Sequence, residues 1–572
     1  MPNLDTKFDT QLRKGTGAHY TPTSLADFVA TQILDHFEVR ALDKNRKIRI
    51  IDPAVGDGEL LFSLIKLANE RGFNNLEVFG CDINQDAVDA SQKLIGENFP
   101  ATPLKIEKRD FLEWVLDVYN ESLFSPTTED SRFDIVIANP PYVRTQVMGS
   151  EKAKRLAKQF NLSGRVDLYH AFLRGIEKIL KVNGILGIIV SNRFLTTKSG
   201  TAVRENLLAD FNILHVWDFG DTRLFEAAVL PAVLLLKKTK SMPDEDCQSK
   251  FTSIYLREGT KSFRPALVFN ALEKDDSEIF KVLHGTLDHG KKHGDVWRLA
   301  TQQANDWLEQ VKSKTKLTFK DIGKIRVGIK TTADNVFILS GADMKKFSGR
   351  PPETLRPLIT HHIASRFKAA EPIKHVVYPH ETKDGIRRAV DLARFPITKK
   401  YLESHKKQLA SRTYIAESNR NWFEIWVPHN PDTWKQPKLV FRDISEKPVF
   451  WIDLNGSVVN GDCYWLSLSD KKESDLLWLA LAVANSSFIE KFYDYSFNNK
   501  LYSGRRRFIT QYVENFPLPN PDLKISKEIV DIARQIYKIS PSVKANELEV
   551  KLNSRVYMAF GLNSKKSAGS GI

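Results

Sequence analysis

Four residues, Asn-Pro-Pro-Tyr at positions 139–142, follow a run of β-branched residues and could carry out a reaction together. Proline lacks a backbone N–H group and has a fixed φ, so the strand predicted at 135–137 must end there. On this rigid turn, the side-chain oxygen of Asn139 and the carbonyl oxygen of Pro140 form two hydrogen-bond acceptors. Two acceptors fit an exocyclic amine, and engaging both of its N–H groups makes the nitrogen able to attack an electrophilic methyl group. The Tyr142 ring could stack on the base that carries the amine.

A glycine-containing turn follows the first predicted strand, in the sequence DPAVGDGE at 52–59. Between a strand and a helix, Gly56 and Gly58 would allow a sharp backbone turn and the close approach of a ligand. The patterns GxGxxG and GxxxxGK[ST] are both absent from this turn. A dinucleotide or ATP site is therefore disfavoured.

Acidic residues also end the next two predicted strands. Asp82, in GCDI, lies where a doubly wound sheet can bind both hydroxyls of a ribose. Asp110 and Phe111, in KRDF, could offer an acceptor and a ring face to an adenine. Acidic residues at strand ends often cap the following helix instead, so each position alone has an alternative interpretation. Together with Asp52 they end three successive strands, which favours one nucleoside-like ligand.

The elements that must position these residues alternate between short apolar runs and longer amphipathic segments from residue 48 onward. This alternation predicts βαβ units in residues 1–245, and therefore an α/β fold with a doubly wound, mostly parallel, Rossmann-like sheet of seven strands. The polar, proline-containing segment SMPDEDCQSK indicates a domain boundary near residue 245. Residues 246–560 carry scattered strand-like runs and two late helical runs, so we predict a mixed α+β domain of one or two subdomains. Residues 561–572 form a predicted disordered tail.

The chain is basic, with a formal net charge of +14, and all of this excess lies after residue 240. Eight of the ten tryptophans also lie there. A basic segment rich in aromatic residues suits a phosphate backbone and unstacked bases, and a generally basic domain is the alternative. The strongest candidate for a DNA contact is NNKLYSGRRRF at 498–508, where a solvated charged surface is again the alternative. Its four cations are Lys500, Arg505, Arg506 and Arg507.

Several classes of protein are disfavoured. No apolar run reaches about 18 residues, and the N-terminal sequence lacks the apolar region of a signal peptide, so we expect no membrane segment and a cytoplasmic location. The three cysteines include no CxxC pair, and the histidines show no HExxH spacing. We therefore expect neither a disulfide framework nor a metal site.

The ordered motifs GAHYTP, DPAVGDGE, GCDI, RDF and ANPPY resemble those of the Taq-type γ-class N6-adenine DNA methyltransferases of type II restriction–modification systems. The resemblance covers residues 15 to about 240 motif by motif, and the rest of the chain more loosely. It implies a prokaryotic enzyme that flips an adenine out of a short specific site in double-stranded DNA, with residues 246–560 as the DNA target-recognition domain. The enzyme would transfer a methyl group from S-adenosylmethionine to that adenine, and a separate restriction endonuclease would be its functional partner.

The same resemblance implies roles for individual residues. Those expected to bind the cofactor are Tyr20, Thr21, Pro22, Asp52, Gly56, Gly58, Asp82, Ile83, Asp110 and Phe111. Asn139, Pro140 and Tyr142 match the catalytic motif. Phe225 falls where the family has an aromatic ring that stacks on the other face of the flipped base.

Two other interpretations stay open at this point. The two acceptors of the Asn-Pro-Pro-Tyr motif could instead serve a methyltransferase that acts on RNA or on a glutamine amide of a protein. Such chains are usually shorter and lack a large basic C-terminal part. The chain could also be a DNA-binding subunit with an inactive cofactor fold, against which the intact Asn139, Tyr142, Asp82 and Asp110 argue.

Overall fold

The chain forms two compact units in a computed structural model. The first unit comprises Met1–Gln302 with Phe497–Gly504, and the second comprises Gln303–Ser496 with Arg505–Ile572. The described residues are 21–37, 46–120, 131–142, 149–162, 167–225, 230–240, 248–257, 260, 263–264, 266–274, 277–290, 292, 294–345, 347, 349–470, 474–497 and 505–563. Tyr20, Lys500 and the predicted tail from residue 564 onward lie outside them.

The first unit contains one sheet, and seven of its strands are those predicted from the sequence. They are β1 (Ile48–Asp52), β2 (Leu76–Asp82), β3 (Leu104–Lys108), β4 (Phe133–Ala138), β5 (Leu180–Ser191), β6 (Phe211–Asp218) and β7 (Pro231–Lys238). Their order across the sheet is β6-β7-β5-β4-β1-β2-β3. Strands β5, β4, β1, β2 and β3 pair in parallel, and β7 is antiparallel to both of its neighbours. The predicted α/β fold with a mostly parallel sheet is confirmed.

Three further strands extend the same sheet after the polar segment near residue 245. Strands β8 (Lys250–Leu256), β9 (Phe280–Asp288) and β10 (Arg298–Ala300) bring the sheet to ten strands within the described residues. β8 pairs in parallel with β6, and β9 and β10 follow as antiparallel neighbours. The polar segment is therefore a connection within this unit, which continues to Gln302.

Helices cover both faces of this sheet. The described helices are α1 (Thr23–His36), α2 (Glu59–Glu70), α3 (Gln85–Asn98), α4 (Phe111–Asn120), α5 (Ser150–Gln159), α6 (Leu168–Ile179), α7 (Thr201–Asp210) and α8 (Leu267–Lys274). All six residues of β4 are buried, as expected for a parallel strand with both faces covered. Val136 belongs to one apolar core and its neighbours Ile135 and Ile137 to the other, because successive side chains point to opposite faces.

The second unit is a mixture of short strands and helices. Its strands are β11 (Thr315–Thr318), β12 (Gly323–Val327), β13 (Ile338–Leu339), β14 (Leu355–Ile359), β15 (Lys374–Val377), β16 (His380–Lys383), β17 (Ile386–Ala389), β18 (Lys438–Arg442), β19 (Ile444–Ser445), β20 (Phe450–Asp453), β21 (Val458–Val459), β22 (Cys463–Leu468), β23 (Arg506–Arg507) and β24 (Pro517–Pro519). Two four-stranded sheets have the orders β12-β22-β18-β20 and β13-β15-β14-β21. The pairs β11-β24, β16-β17 and β19-β23 form two-stranded sheets.

The helices of the second unit lie mainly at its beginning and end. They are α9 (Gln302–Lys314), α10 (Phe319–Ile322), α11 (Asp334–Phe337), α12 (Gly341–Lys345), α13 (Pro396–Ser404), α14 (Lys406–Ala410), α15 (Thr413–Ala416), α16 (Ser474–Ala484), α17 (Ser487–Phe497), α18 (Thr510–Val513), α19 (Lys524–Ile539) and α20 (Val543–Ala559). None of the helices in the described part of the chain combines the length and apolar composition needed to cross a membrane.

Much of the tryptophan content of the second unit is structural. Trp434, Trp451 and Trp465 are buried in a shared apolar core. The indole N–H of Trp434 donates to the hydroxyl of Tyr378 at 3.0 Å. These three tryptophans are therefore core residues and do not form a surface on which bases stack.

Candidate active site

The carboxyl ends of four neighbouring parallel strands meet at one edge of the first unit's sheet. β1 pairs with β2 on one side and with β4 on the other, and β3 lies beyond β2. Asp52 and Asp82 are the last residues of β1 and β2, and Asn139 directly follows β4. Because the strand order reverses between β1 and β4, this edge is the switch point at which doubly wound sheets bind ligands.

The turn after β1 depends on its two glycines. Gly56 and Gly58 have φ angles of 54° and 90°, a region that side-chain-bearing residues rarely adopt. A Cβ at Gly58 would lie 2.9 Å from the Cβ of Ser91 on α3, so helix α3 leaves no room for one. A Cβ at Gly56 would meet no atom within 4 Å. The turn is therefore packed on one side and open on the other.

The carboxylate of Asp82 joins this turn to the loop after β2. Its Oδ2 accepts a hydrogen bond from the N–H of Gly56 at 3.1 Å, and its Oδ1 accepts one from the N–H of Asn84 at 2.9 Å. A carboxylate offers about four acceptor positions, so further donors can be bound. The neighbouring Ile83 is 62% exposed. Acceptors beside an exposed apolar side chain suit a nucleoside.

Asp52 is completely buried at the end of β1. Its Oδ1 accepts a hydrogen bond from the N–H of Ala54 at 2.9 Å, whereas its Oδ2 has no partner among the described residues. Burial raises the pKa of Asp52 to about 8, and the nearby Asp82 and Asp57 contribute to the rise. An unpaired buried carboxyl oxygen is unfavourable, so a cationic group of a ligand would be stabilised beside it.

Asp110 and Phe111 follow β3 and begin helix α4. The Oδ1 of Asp110 accepts a hydrogen bond from the N–H of Leu112 at 2.9 Å, so Asp110 caps this helix, as the alternative interpretation of the sequence proposed. The Phe111 ring is 2% exposed and stacks on Phe172, with ring centroids 5.2 Å apart. This packing is at odds with the prediction that the Phe111 ring faces an adenine. The ring instead joins α4 to α6.

The side-chain amide of Asn139 has a defined orientation. Its Nδ2 donates to the Oγ1 of Thr21 at 3.0 Å, and its Oδ1 accepts a hydrogen bond from the hydroxyl of Tyr142 at 3.1 Å. The amide nitrogen therefore points to Thr21 and the amide oxygen points to Tyr142. The family resemblance implies that Thr21 lies at the cofactor, and no pattern in the sequence indicated a contact between residues 118 positions apart.

An amide oxygen accepts two hydrogen bonds, so the Oδ1 of Asn139 can bind one further donor beside the Tyr142 hydroxyl. Pro140 is buried, and both Pro141 and Tyr142 are partly exposed at the end of the sheet. Burial raises the pKa of Tyr142, so its hydroxyl keeps its proton and remains a donor. The Oδ1 of Asn139 can therefore accept a hydrogen bond from an amino group.

Two known families match separate parts of the chain. The Eco57I restriction-modification methylase family matches residues 74–225, and the TaqI-like C-terminal specificity domain matches residues 385–518. The chain is 36% identical over 567 residues to the type II methyltransferase M.BanIII of Aneurinibacillus aneurinilyticus, covering 96% of this chain and 98% of that protein. The chain belongs to the type II DNA-methyltransferase family of restriction–modification systems.

A second relative of this type II methyltransferase is M.BstVI of Geobacillus stearothermophilus, 26% identical over 538 residues that cover 88% of this chain and 90% of the relative. Among solved structures, the type IIL restriction-modification enzyme MmeI in complex with DNA matches 96% of this chain and 77% of its own, with a TM-score of 0.65 and 14% identity. That likeness supports the fold. The family expected from the motifs is confirmed.

Three of the residues predicted to hold S-adenosylmethionine, Asp52, Gly56 and Asp82, fit such a ligand. The unpaired Oδ2 of Asp52, the open side of the turn at Gly56 and the remaining acceptor positions of Asp82 lie around one strand edge. Pro22 precedes α1, and its carbonyl accepts hydrogen bonds from the first turn of that helix. No cluster of three or more metal-ligating side chains occurs in the part of the chain that the structure describes.

The raised pKa of Asp52 can be tested with the substitution Asp52→Asn. The carboxyl titrates near 3.8 when unfolded and near 8 when folded, so the stability of the cofactor-free protein falls as the pH rises through that interval. Asparagine does not ionise. We expect the stability of the variant relative to the wild type to increase by up to about 1.4 kcal/mol per pH unit.

Chemical denaturation at pH 5, 7 and 8.5 without cofactor would measure this difference. The control Asp117→Asn, at an exposed position of α4, should show no such gain. The same pH dependence for both variants would contradict the assignment of Asp52.

Buried hydrogen bonds anchor the loop after β6. The Oδ1 of Asp218 accepts hydrogen bonds from the Nδ2 of Asn192 at 2.8 Å and the N–H of Gly220 at 3.0 Å. Its Oδ2 accepts one from the hydroxyl of Tyr255, on β8, at 2.6 Å. A Cβ at Gly220 would lie 2.3 Å from the Tyr255 ring. This role of Tyr255 was not predicted, because the residue follows a polar segment that indicates a domain boundary.

This loop leads to Phe225, which is 5% exposed and belongs to an apolar core that also contains Phe219 and Leu224. A base could stack on the Phe225 ring only after part of the loop had moved. Its predicted role as a stacking residue therefore stays a prediction.

The arginine run in the second unit is largely structural. Arg506 is 12% exposed, and its Nε and Nη2 donate to the two carboxylate oxygens of Asp494 at 2.8 and 2.7 Å. Arg507 makes the same kind of paired contact with Asp443 at 3.1 and 3.2 Å. These paired contacts argue against the predicted DNA contact by Arg506, and they weaken the prediction of a DNA contact by Arg507. Arg505 is exposed and remains a candidate.

Proposed function

We propose that this chain is a site-specific DNA adenine methyltransferase, which transfers a methyl group from S-adenosylmethionine to the exocyclic N6 amine of an adenine flipped out of a duplex. The main support for the proposal is the side-chain amide of Asn139 at the end of β4, which hydrogen bonds to Thr21 and Tyr142 hold in place. The oxygen of this amide can accept one further hydrogen bond. This amide lies at the same sheet edge as the glycine turn and Asp82.

In this mechanism, Asn139 and Pro140 act on the amine of the adenine. The Oδ1 of Asn139 and the carbonyl oxygen of Pro140 would accept its two N–H groups, so that the nitrogen lone pair leaves conjugation with the ring. S-adenosylmethionine, when bound, supplies an electrophilic methyl group on a sulfonium. The residues around the turn after β1 would hold the cofactor, and Asn139 and Pro140 would hold the amine in line with its methyl group, so catalysis is mainly a matter of positioning. The proton leaves after the nitrogen has become cationic, and water can accept it.

An adenine inside a duplex cannot reach Asn139, so the base must be rotated out of the helix. Unstacking and unpairing cost roughly a few kcal/mol. Stacking on the Tyr142 ring would offset part of this, because a base–aromatic stack is worth about 1–3 kcal/mol. Phe225 would provide a second face if its loop moves.

The bond between Asn139 and Thr21 predicts a catalytic role for Thr21. The substitution Thr21→Val removes the Oγ1 acceptor and frees the Asn139 amide to rotate. We expect kcat to fall roughly 3- to 10-fold, the equivalent of one hydrogen bond, with little change in cofactor affinity. Thr21→Ser keeps the hydroxyl and should restore kcat. If Thr21→Val instead weakened cofactor binding and left kcat unchanged, the residue would serve the cofactor alone.

Incubation with radiolabelled S-adenosylmethionine and, separately, duplex DNA, tRNA and a release-factor protein would test the proposed function. We expect label in duplex DNA alone. Label only in RNA or in a protein glutamine would select the alternative substrate for the Asn-Pro-Pro-Tyr motif. Duplex binding without any transfer would identify an inactive DNA-binding subunit.

The setting of this activity is also part of the proposal. Relatives of this chain are type II methyltransferases, so we propose that it protects a short DNA site from a separate restriction endonuclease in the bacterial cytoplasm. Survival of plasmid DNA from an expressing strain during digestion with a panel of restriction endonucleases would reveal the protected site.

A further inference from the structure

A two-stranded ribbon projects from the second unit. Its strands β16 and β17 pair with each other and belong to neither four-stranded sheet. Asp384 and Gly385 form the connecting turn, with φ angles of 55° and 71°. Positive φ at both positions of a two-residue turn gives a hairpin whose twist matches its strands. All six residues of the tip, 383–388, are exposed.

The root of this ribbon is held rigidly. His380 is buried, and its Nε2 accepts a hydrogen bond from the N–H of Ile425 at 3.1 Å. The hydroxyl of Thr382 donates to the Oδ1 of Asn430 at 3.1 Å. The N–H of Val390 donates to the carbonyl of Pro379 at 3.1 Å, just outside the ribbon. The exposed tip is therefore presented in a fixed orientation.

The tip carries three cations. Lys383, Arg387 and Arg388 have no ion-pair partner within the described residues, in contrast to the paired Arg506 and Arg507. Glu381 lies opposite Arg388 but contacts Arg394 at 3.3 Å, and Asp384 is the single carboxylate at the tip.

One face of the ribbon also presents an apolar side chain. Ile386 is 60% exposed and lies directly opposite Lys383, so both side chains point to the same face. Arg388 lies two residues further along the same strand and shares that face. An exposed isoleucine beside two cations can contact a surface that has charged edges and an apolar centre.

We propose that residues 380–389 form a DNA-reading ribbon that inserts into the major groove. The proposal rests on the proposed function. The major groove is about 12 Å wide and admits a two-stranded β-ribbon. Lys383, Arg387 and Arg388 contact phosphates at the groove walls, and Ile386 contacts base edges, where a thymine methyl group is its apolar partner. The ribbon thereby supplies the cationic contacts that Arg506 cannot.

The first experiment measures binding of the full chain to plasmid DNA as a function of salt. The variant Lys383→Ala/Arg387→Ala/Arg388→Ala should bind at least about 10-fold more weakly at physiological salt, and its log–log salt slope should decrease by about 0.9 for each phosphate that the variant no longer neutralises. The control Lys538→Ala/Lys544→Ala/Lys551→Ala removes three exposed cations from α19 and α20 and should bind like the wild type. Equal midpoints of thermal unfolding for all three proteins would show that each is folded.

The second experiment replaces the apolar residue. Ile386→Ala should leave the salt slope unchanged but alter the preference for at least one base of the site, mapped by sequencing methylated positions in a plasmid pool with random inserts. Arg388→Ala should weaken methylation of all these sites to a similar extent.

The results separate the two proposals. If the wild type methylates DNA and the triple ribbon variant keeps wild-type affinity and slope, the ribbon does not contact DNA and the inference is overturned. Loss of affinity in the control equal to that in the ribbon variant also overturns it, because general charge then explains binding. If the wild type transfers no methyl group to any DNA, the proposed function itself fails and the ribbon proposal fails with it.

Discussion

Replacing Asn139 by alanine should reduce the rate of methyl transfer by about 10²- to 10³-fold at saturating cofactor and DNA, the usual effect of removing one positioned group that acts on developing charge. The substitution removes the oxygen that would accept an N–H of the amine. It also removes the hydrogen bonds that the amide makes with the Oγ1 of Thr21 and the hydroxyl of Tyr142. Because the hydrogen bonds described for the amide go to Thr21 and Tyr142 rather than to the turn after β1, affinity for S-adenosylmethionine should stay within a few-fold.

Single-turnover transfer of labelled methyl groups, combined with calorimetric titration of the cofactor, would separate these effects. Asn98→Ala, at the end of α3, removes an exposed amide that donates to the Leu94 carbonyl of its own helix and serves as the control. Asn139→Asp keeps an acceptor oxygen but loses the donor to Thr21, so it should retain an intermediate rate. A rate for Asn139→Ala close to that of the control would contradict the catalytic role of the amide.

Replacing Asp82 by alanine should instead act on the cofactor and weaken its binding by about 10²-fold or more. A hydrogen bond to a charged group contributes about 1.5–3 kcal/mol, and Asp82 would accept two from a ribose. The substitution also removes the acceptor for the N–H groups of Gly56 and Asn84, so the turn after β1 loses its tie to the loop after β2. The rate at saturating cofactor should change less than the affinity.

Calorimetric titration with S-adenosylmethionine would measure the effect of this substitution. The matched control is Asp86→Ala, four residues further along on the exposed start of α3, which should bind the cofactor like the wild type. Equal affinity for the cofactor in Asp82→Ala and Asp86→Ala would mean that Asp82 only supports the turn.

The part of the fold that holds the site could be predicted because its determinants are local. Three buried β-branched residues form the centre of strand β4, which ends just before Asn139 and two prolines, and the glycines after β1 lie between a strand and a helix in the sequence. Parallel strands separated by helices then bring Asp52, Asp82 and Asn139 to the same edge without any knowledge of side-chain contacts.

What could not be predicted depends on contacts between residues that are distant in sequence. Arg506 looked like a free cation, but Asp494 lies on α17 and neutralises it in the folded unit. Burial alone would lower the pKa of Arg506, and the hydrogen-bonded carboxylate raises it above its ordinary value. The orientation of the Asn139 amide similarly depends on Thr21, which no spacing rule connects to it.

Two further differences between prediction and structure arise from packing between elements that are distant in the sequence. A polar segment between two apolar runs usually marks a domain boundary, but here β8 returns to pair with β6, and its Tyr255 anchors the loop that leads to Phe225. Phe111 follows an acidic residue in a site motif, yet its ring packs on Phe172 because α4 and α6 lie against each other. The sequence order alone does not show whether the polar segment ends a domain, nor whether the Phe111 ring faces a ligand or the core.

The identity of the methylated nucleoside tests the central claim most directly. Duplex DNA incubated with the full chain and S-adenosylmethionine would be digested to nucleosides and analysed by mass spectrometry, with Asn139→Ala as the inactive reference. We predict N6-methyl-2′-deoxyadenosine as the product, formed by the wild type and nearly absent with the variant. Methylated cytosine without methylated adenine would contradict the account, since the acceptor pair would then act on a different base.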